Sequence, residues 1–156
     1  TDLHTNTAYS SLATQITKIF PIALNTFIIP TIYGRFIFND GIPFMYSNVI
    51  GGEGYNPHYE QQIPFSGLPH TESTLKLLGN ARIQIRHKFH GKQYLTLSGN
   101  YAIHQNQFSN FLQGKKIYGT SIGYGYDSPL GPIEGFICYS NRTNKLGFYL
   151  NIGFGF

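Results

Sequence analysis

LGFYLNIGFGF, residues 146–156, decides the fold, because apolar residues occupy every second position without a miss. These apolar positions are Leu146, Phe148, Leu150, Ile152, Phe154 and Phe156. Glycine, tyrosine and asparagine fill the positions between them. Because successive side chains of a strand point to opposite faces, the pattern predicts a strand with one face in lipid and the other facing a lumen. An ordinary amphipathic strand at a chain end is the alternative interpretation.

The same alternation recurs upstream. ARIQIRHKF, residues 81–89, sets Ala81, Ile83, Ile85, His87 and Phe89 opposite a basic face of Arg82, Arg86 and Lys88. Further alternating segments lie at residues 93–104, 117–126 and 132–140, and turn signals separate them. The pattern is typical of membrane hairpins.

Two earlier strands are predicted at approximately Thr7 to Phe20 and Leu24 to Phe38, with a short turn around Pro21 between them. Pro30 lies inside the second strand, and a proline there predicts an edge strand or a bulge. The predicted total is about seven strands.

Composition favours an all-β membrane protein. Charged residues make up only 12% of the 156 residues, whereas average soluble domains carry about 25%. Aromatic residues reach 16%, and aromatic side chains favour strands. No apolar run approaches the ~20 residues that a membrane helix needs. We therefore predict an antiparallel transmembrane β-barrel, in contact with lipid, in a bacterial outer membrane.

The connections alternate in length once the C-terminus is placed on the periplasmic side. Short inner turns then fall at Gly91 and at residues 128–131, and a long extracellular loop spans about residues 39–75. We expect this loop to fold into or across the barrel mouth, because it carries many apolar side chains.

An odd number of strands cannot close a single-chain bacterial barrel. We therefore expect residues 1–156 to form a single but incomplete barrel domain. Either further strands of the same protein, or a second copy or partner chain, would complete the closure.

GTSIGYGYDSPLGPIEGFICYSNRTNKLGFYLNIGFGF, residues 119–156, resembles the last three strands of the OMP85 superfamily. The resemblance implies either the C-terminal half of a sixteen-stranded barrel or a small eight-stranded relative. It also implies that the barrel-assembly machinery reads the C-terminal signal of Phe148, Leu150, Ile152, Phe154 and Phe156.

NVIGGEGYNPHYEQQIPFSG, residues 48–67, looks like the sixth extracellular loop of that superfamily, especially in patatin-like outer-membrane proteins of Bacteroidota. In the family this loop carries an arginine that pairs with acidic residues on the inner wall. Here His58 followed by Tyr59 stands in that place. The residues expected to join loop and lumen are His58, Tyr59, Glu60, Arg82, Arg86 and Glu134. The alternative to specific pairing, and the one that we favour, is a solvated polar lumen.

Gly119-Thr120-Ser121-Ile122-Gly123 spells a hydrolase-like G-x-S-x-G motif, which requires a strand-to-helix turn. Ser121 lies instead in the middle of a predicted strand, so we expect no catalysis by this chain. The six histidines lack zinc-site spacing, and we expect no metal or cofactor. The net charge of +4 is not concentrated in a patch, so nucleic acid is not an expected partner.

The resemblance implies an OMP85-type barrel that anchors, or helps to export or assemble, an associated domain or protein. A separate patatin-like domain would lie outside this chain. The alternative is a stand-alone small barrel that forms part of an outer-membrane complex.

Overall fold

The computed structural model describes residues 9–38, 42–43, 46–53, 61–89 and 91–153. Its strands are β1 (Ser11–Thr17), β2 (Phe20–Ala23), β3 (Thr26–Ile37), β4 (Val49–Ile50), β5 (Gln62–Ile63), β6 (Glu72–Ser73), β7 (Leu77–Phe89), β8 (Gln93–Gln105), β9 (Lys115–Ser128), β10 (Gly131–Ser140) and β11 (Lys145–Ile152). A short 3-10 helix spans Phe108–Gln113. Within the described ranges, no helix is long and apolar enough to cross a membrane.

The long strands form one antiparallel sheet in the order β1, β3, β7, β8, β9, β10, β11. β2 follows β1 along the same edge of β3, so the sheet is seven strand positions wide. The prediction of an all-β antiparallel fold is confirmed. The three short strands form a second sheet in the order β5, β4, β6, within the connection from β3 to β7.

The predicted turn around Pro21 is wrong. Pro21 lies inside β2, and the chain reverses at Leu24 and Asn25 instead. Asn25 has a φ of 64°, a left-handed conformation that asparagine tolerates better than most residues. β2 pairs only with β3 among the described residues, and an edge strand accommodates a residue that lacks an N–H.

Pro30 lies in the interior strand β3, paired with Ile83 of β7, rather than in an edge strand. Its carbonyl accepts a hydrogen bond from the Lys18 amide at 3.2 Å, on the side where β1 has ended and β2 has not begun. In an antiparallel strand the N–H and C=O of one residue point the same way. The donor that proline lacks therefore faces this interruption. The predicted edge strand or bulge at Pro30 is wrong, because β3 is interior and its register with β7 is continuous through this residue.

The two faces of the sheet differ in composition. One cross-strand row consists only of apolar residues: Phe20, Ile28, Ile85, Leu97, Ile122, Ile137 and Phe148. We call the face that carries this row the apolar face and the opposite one the inner face. In β9 the residues alternate strictly between exposed positions on the apolar face and buried positions on the inner face from Ile117 to Tyr126.

The connections divide between two ends of the sheet. The β2–β3 connection, Leu24 and Asn25, lies at the same end as the β7–β8 and β9–β10 turns, and we call this the turn end. The opposite, loop end carries the long connection of residues 38–76, the β8–β9 connection and the turn of residues 141–144.

Phe148→Arg should destabilise the protein by about 2 to 4 kcal/mol, because it places a charge on the apolar face near the middle of β11. Asn151→Arg, on the inner face of the same strand and beside Glu134, should be mild. Urea unfolding in lipid vesicles measures both variants. Equal effects at the two positions would contradict the assignment of the faces.

Candidate functional site

The long connection packs against the inner face through an apolar cluster. It contributes Ile50, Ile63, Phe65 and Leu68, and the wall contributes Tyr33, Leu78, Ala102 and Ile117. Burying each large aliphatic or aromatic side chain stabilises the packing by roughly 1.5 to 3 kcal/mol. The described part of the connection is therefore packed against the inner face of the sheet.

Arg35 and Asn48 join this connection to β3 by hydrogen bonds. Arg35 Nη1, on the inner face of β3, donates to Asn48 Oδ1 at 3.3 Å and to the Ser47 carbonyl at 3.2 Å. Asn48 Nδ2 in turn donates to the carbonyls of Leu75 at 2.9 Å and Lys76 at 2.8 Å. Asn48 thereby ties the far end of the connection, at Leu75 and Lys76, to β3.

Glu53 reaches the wall directly after a pair of glycines. Gly51 and Gly52 have φ angles of 137° and 73°. A Cβ on Gly51 would lie 1.7 Å from the Pro69 carbonyl oxygen, so only glycine fits there. The reversal brings Glu53 Oε2 to 3.0 Å from Arg82 Nη2, and the two side chains are 0% and 8% exposed. Loop and wall therefore share a buried ion pair.

A second ion pair lies within the wall. Arg86 Nη2 is 3.2 Å from Glu134 Oε1, and Tyr94 donates its hydroxyl to the same oxygen at 2.8 Å. The Arg86 guanidinium also stacks on the Tyr94 ring at 4.6 Å and donates to Thr96 at 3.2 Å. A Cβ at Gly125 would lie 2.3 Å from the Tyr94 ring, so this glycine leaves the space that the ring occupies.

The two ion pairs line one polar cavity of about 190 Å³, together with Pro64, Gln84 and Phe136. Alternating charges in a confined space stabilise one another when each has a partner. We call Glu53, Arg82, Arg86 and Glu134 the ionic latch.

The G-x-S-x-G motif lies where the loop contacts β9. Ser66 of the loop donates its hydroxyl to Ser121 at 3.2 Å and accepts from Asn100 Nδ2 at 2.7 Å. A Cβ on Gly119 would lie 2.1 Å from the Ser66 carbonyl oxygen. Gly119 thus permits close approach of the loop backbone, and Ser121 fixes the loop by a hydrogen bond.

Contacts at the loop end complete the docking. Arg142, in the β10–β11 turn, lies 2.9 Å from Glu72 of β6. Thr143 Oγ1 donates to the Gly67 carbonyl at 3.1 Å, and Tyr149 donates its hydroxyl to the Leu68 carbonyl. The loop therefore contacts both the middle of the wall and its last hairpin.

The structure brings together three of the residues expected to join loop and lumen. Arg86 and Glu134 pair with each other, and Arg82 pairs with the loop. His58, Tyr59 and Glu60 lie outside the described residues, as do Phe154 and Phe156 of the C-terminal signal. Its described members Phe148, Leu150 and Ile152 are exposed on the apolar face.

Sequence reasoning missed Glu53. The signal was present, since an acidic residue follows a glycine pair in a loop predicted to face a basic strand.

Comparison with protein families gives a match to the OMP85 superfamily over residues 3–156, nearly the whole chain. No curated protein matches the chain.

Glu53→Gln should destabilise the protein by about 3 to 5 kcal/mol, because it removes one charge of a buried pair. The double exchange Glu53→Arg with Arg82→Glu should recover much of this loss. Asp127→Asn is the matched control, since Asp127 pairs with Lys88 at 3.4 Å on an exposed surface. It should cost less than about 1 kcal/mol. Urea unfolding in lipid vesicles measures all three. Equal losses for Glu53→Gln and Asp127→Asn would contradict the importance of the buried pair.

Proposed function

The chain belongs to the OMP85 superfamily, and from this premise we propose that its outer-membrane β-barrel anchors, and helps to export, an associated domain or protein. One observation carries the proposal: a segment of the chain itself packs on the inner face of the sheet and is held there by the apolar cluster and by polar contacts. The ionic latch and the Ser66 contacts are the main ones.

The apolar face supports the anchoring part of the proposal. Its exposed side chains include Ile83, Leu97, Ile122, Ile137 and Phe148. In water such a surface would be costly at roughly 25 cal/mol per Å². In hydrocarbon this apolar surface carries no such cost, so the strands themselves hold the domain in the membrane.

The unequal connections support an orientation with the loop end outside and the C-terminus periplasmic. Short turns on the periplasmic side and longer connections outside are typical of outer-membrane barrels. Two-residue reversals occur at Leu24–Asn25 and Pro129–Leu130, whereas residues 38–76 connect β3 to β7.

The docked loop supports the export part. A substrate cannot use a space that the loop fills, so transport requires the loop to leave the wall. Release would exchange the ion pairs and hydrogen bonds for contacts with water and would expose the apolar side chains of the loop. The loop in this proposal is a movable plug.

We assign no chemistry to this barrel and place any catalysis in an associated domain, for which a patatin-like lipase is the candidate. Ser121 supports this assignment by its position in the middle of β9, where it accepts a hydrogen bond from the loop. A nucleophile would need a base within hydrogen-bond reach and an exposed Oγ. The Ser121 residue is instead buried.

Locking the loop tests the export role. The hydroxyl oxygens of Ser66 and Ser121 lie 3.2 Å apart, so cysteines at both positions should form a disulfide in a Cys138→Ser background. Oxidation should reduce surface delivery of the associated domain to background, and a reductant should restore it. Protease accessibility of an epitope on intact cells measures delivery.

The single variant Ser66→Cys in the same background cannot lock and is the control. Delivery that is unchanged in the oxidised double variant would remove the export role and leave a static anchor.

A second candidate function is a small structural barrel completed by another chain. It is favoured by the open sheet, in which β11 and the β1–β2 edge each pair on one side only within the described residues. An unpaired strand edge in hydrocarbon costs several kcal/mol for each unsatisfied backbone group. Further strands must therefore cover these edges.

Cysteine cross-linking from Thr14→Cys, on β1, separates the two candidates. If another chain completes the barrel, a cross-linked species of larger mass should form in intact membranes. If strands of the same polypeptide complete it, the mass should not change, and the second candidate fails.

A further inference from the structure

An aromatic patch covers the apolar face at the loop end. The 3-10 helix Phe108–Gln113 folds back over the sheet, where a Cβ on Gly79 would lie 3.1 Å from Phe111 Cζ. Phe36 packs edge-on against Phe108 and Phe111 with ring centroids 5.6 and 6.0 Å apart. Phe38 stacks on Phe108 at 6.0 Å. We call these four phenylalanines the rim patch.

Lys116 lies on the same face as the rim patch. Gly79 pairs with Ile103, and Ile103 pairs with Lys116, so the three residues form one cross-strand row. Neighbouring strands are about 4.8 Å apart, which places the Lys116 backbone about 10 Å from the glycine under Phe111. Lys115, the preceding residue, falls on the opposite face by alternation.

The tyrosines next to this row indicate its depth in the membrane. Tyr101 and Tyr118 are cross-strand partners on the apolar face, one step closer to the middle of the sheet than Lys116. They are 42% and 51% exposed. Aromatic girdles mark the boundary between hydrocarbon and headgroups. A lysine one step beyond them extends its ammonium to the headgroup level while its alkyl chain stays along the apolar surface.

Among the described residues, no acidic side chain is left to act as a counter-ion for Lys116. All four acidic residues in the described part form ion pairs with other bases: Glu53, Glu72, Asp127 and Glu134. Lys116 is exposed. At headgroup depth, beside exposed rings, the available anion is a lipid phosphate.

We propose that Lys116 and the rim patch form a binding site for a phosphorylated lipid headgroup, with Lys116 binding the phosphate and the phenylalanine rings contacting the lipid. The site rests on the proposed function only in that the loop end must face lipid headgroups. It requires neither movement of the loop nor export.

Native mass spectrometry of the full-length protein in detergent tests this site, with bisphosphorylated lipid A as the probe. Lys116→Gln should weaken binding about fivefold, the effect of one lysine near an anionic lipid surface. Lys116→Arg should retain binding. Lys115→Gln is the matched control, because it removes the same charge from the other face of the strand, and it should leave binding unchanged.

Dephosphorylated lipid A should bind the wild type about as weakly as lipid A binds Lys116→Gln. Equal weakening by Lys115→Gln and Lys116→Gln would overturn the site, because it would show diffuse attraction to net charge. Unchanged binding in Lys116→Gln, or equal binding of the dephosphorylated probe, would also overturn it. Unchanged surface delivery in the oxidised variant with cysteines at Ser66 and Ser121, with lipid binding intact, would contradict the export proposal alone.

Discussion

The rest of the structure depends on the need of every backbone N–H and C=O in hydrocarbon for a partner in a neighbouring strand. This need produces long antiparallel strands with continuous registers, such as the pairing of β7 with β8 from Leu77 to Phe89. Once the strands are fixed, alternation assigns each side chain to lipid or to the interior. The apolar row from Phe20 to Phe148 lies on one face and the ionic latch lies on the other, and both positions follow from the pairing of the strands.

The interior side has a further requirement, because a wall of large side chains would leave no space for the loop. β9 meets it with glycines at inner-face positions. Gly119 admits the loop backbone, Gly123 lies under the Phe136 ring, and Gly125 lies under the Tyr94 ring. Glycine in a strand interior is normally unfavourable, and often marks close approach of another group. In β9 that group is the loop or a ring from a neighbouring strand.

Alternation made much of this fold predictable from sequence. The faces of β7 to β11 follow from the period of two, because a register error would move every apolar side chain to the wrong side. The turn near Pro21 was misplaced, because proline is a strong turn signal while Asn25 is a weaker one, and tertiary pairing decided between them. Glu53 was missed because its partner Arg82 lies in a strand distant in sequence. Periodicity assigns a side chain to a face but does not choose its partner.

The direction of charge in the ion pair between loop and wall affects its hydrogen bonding but not its Coulomb energy. The family resemblance implies an arginine on the loop and an acid on the wall, whereas here the acid Glu53 is on the loop and Arg82 is on the wall. The Coulomb energy of a pair is unchanged when the charges are exchanged. Arginine, however, offers five donors and carboxylate only acceptors, so the exchange changes which side must supply the remaining partners. With arginine on the wall, the donors face a strand rich in polar side chains, such as Asn100 and Thr96 on neighbouring β8. The loop then supplies only the Glu53 carboxylate, which the reversal at Gly51 and Gly52 brings next to the wall. The loop–wall ion pair of this chain therefore has the opposite polarity to the one that the resemblance implies.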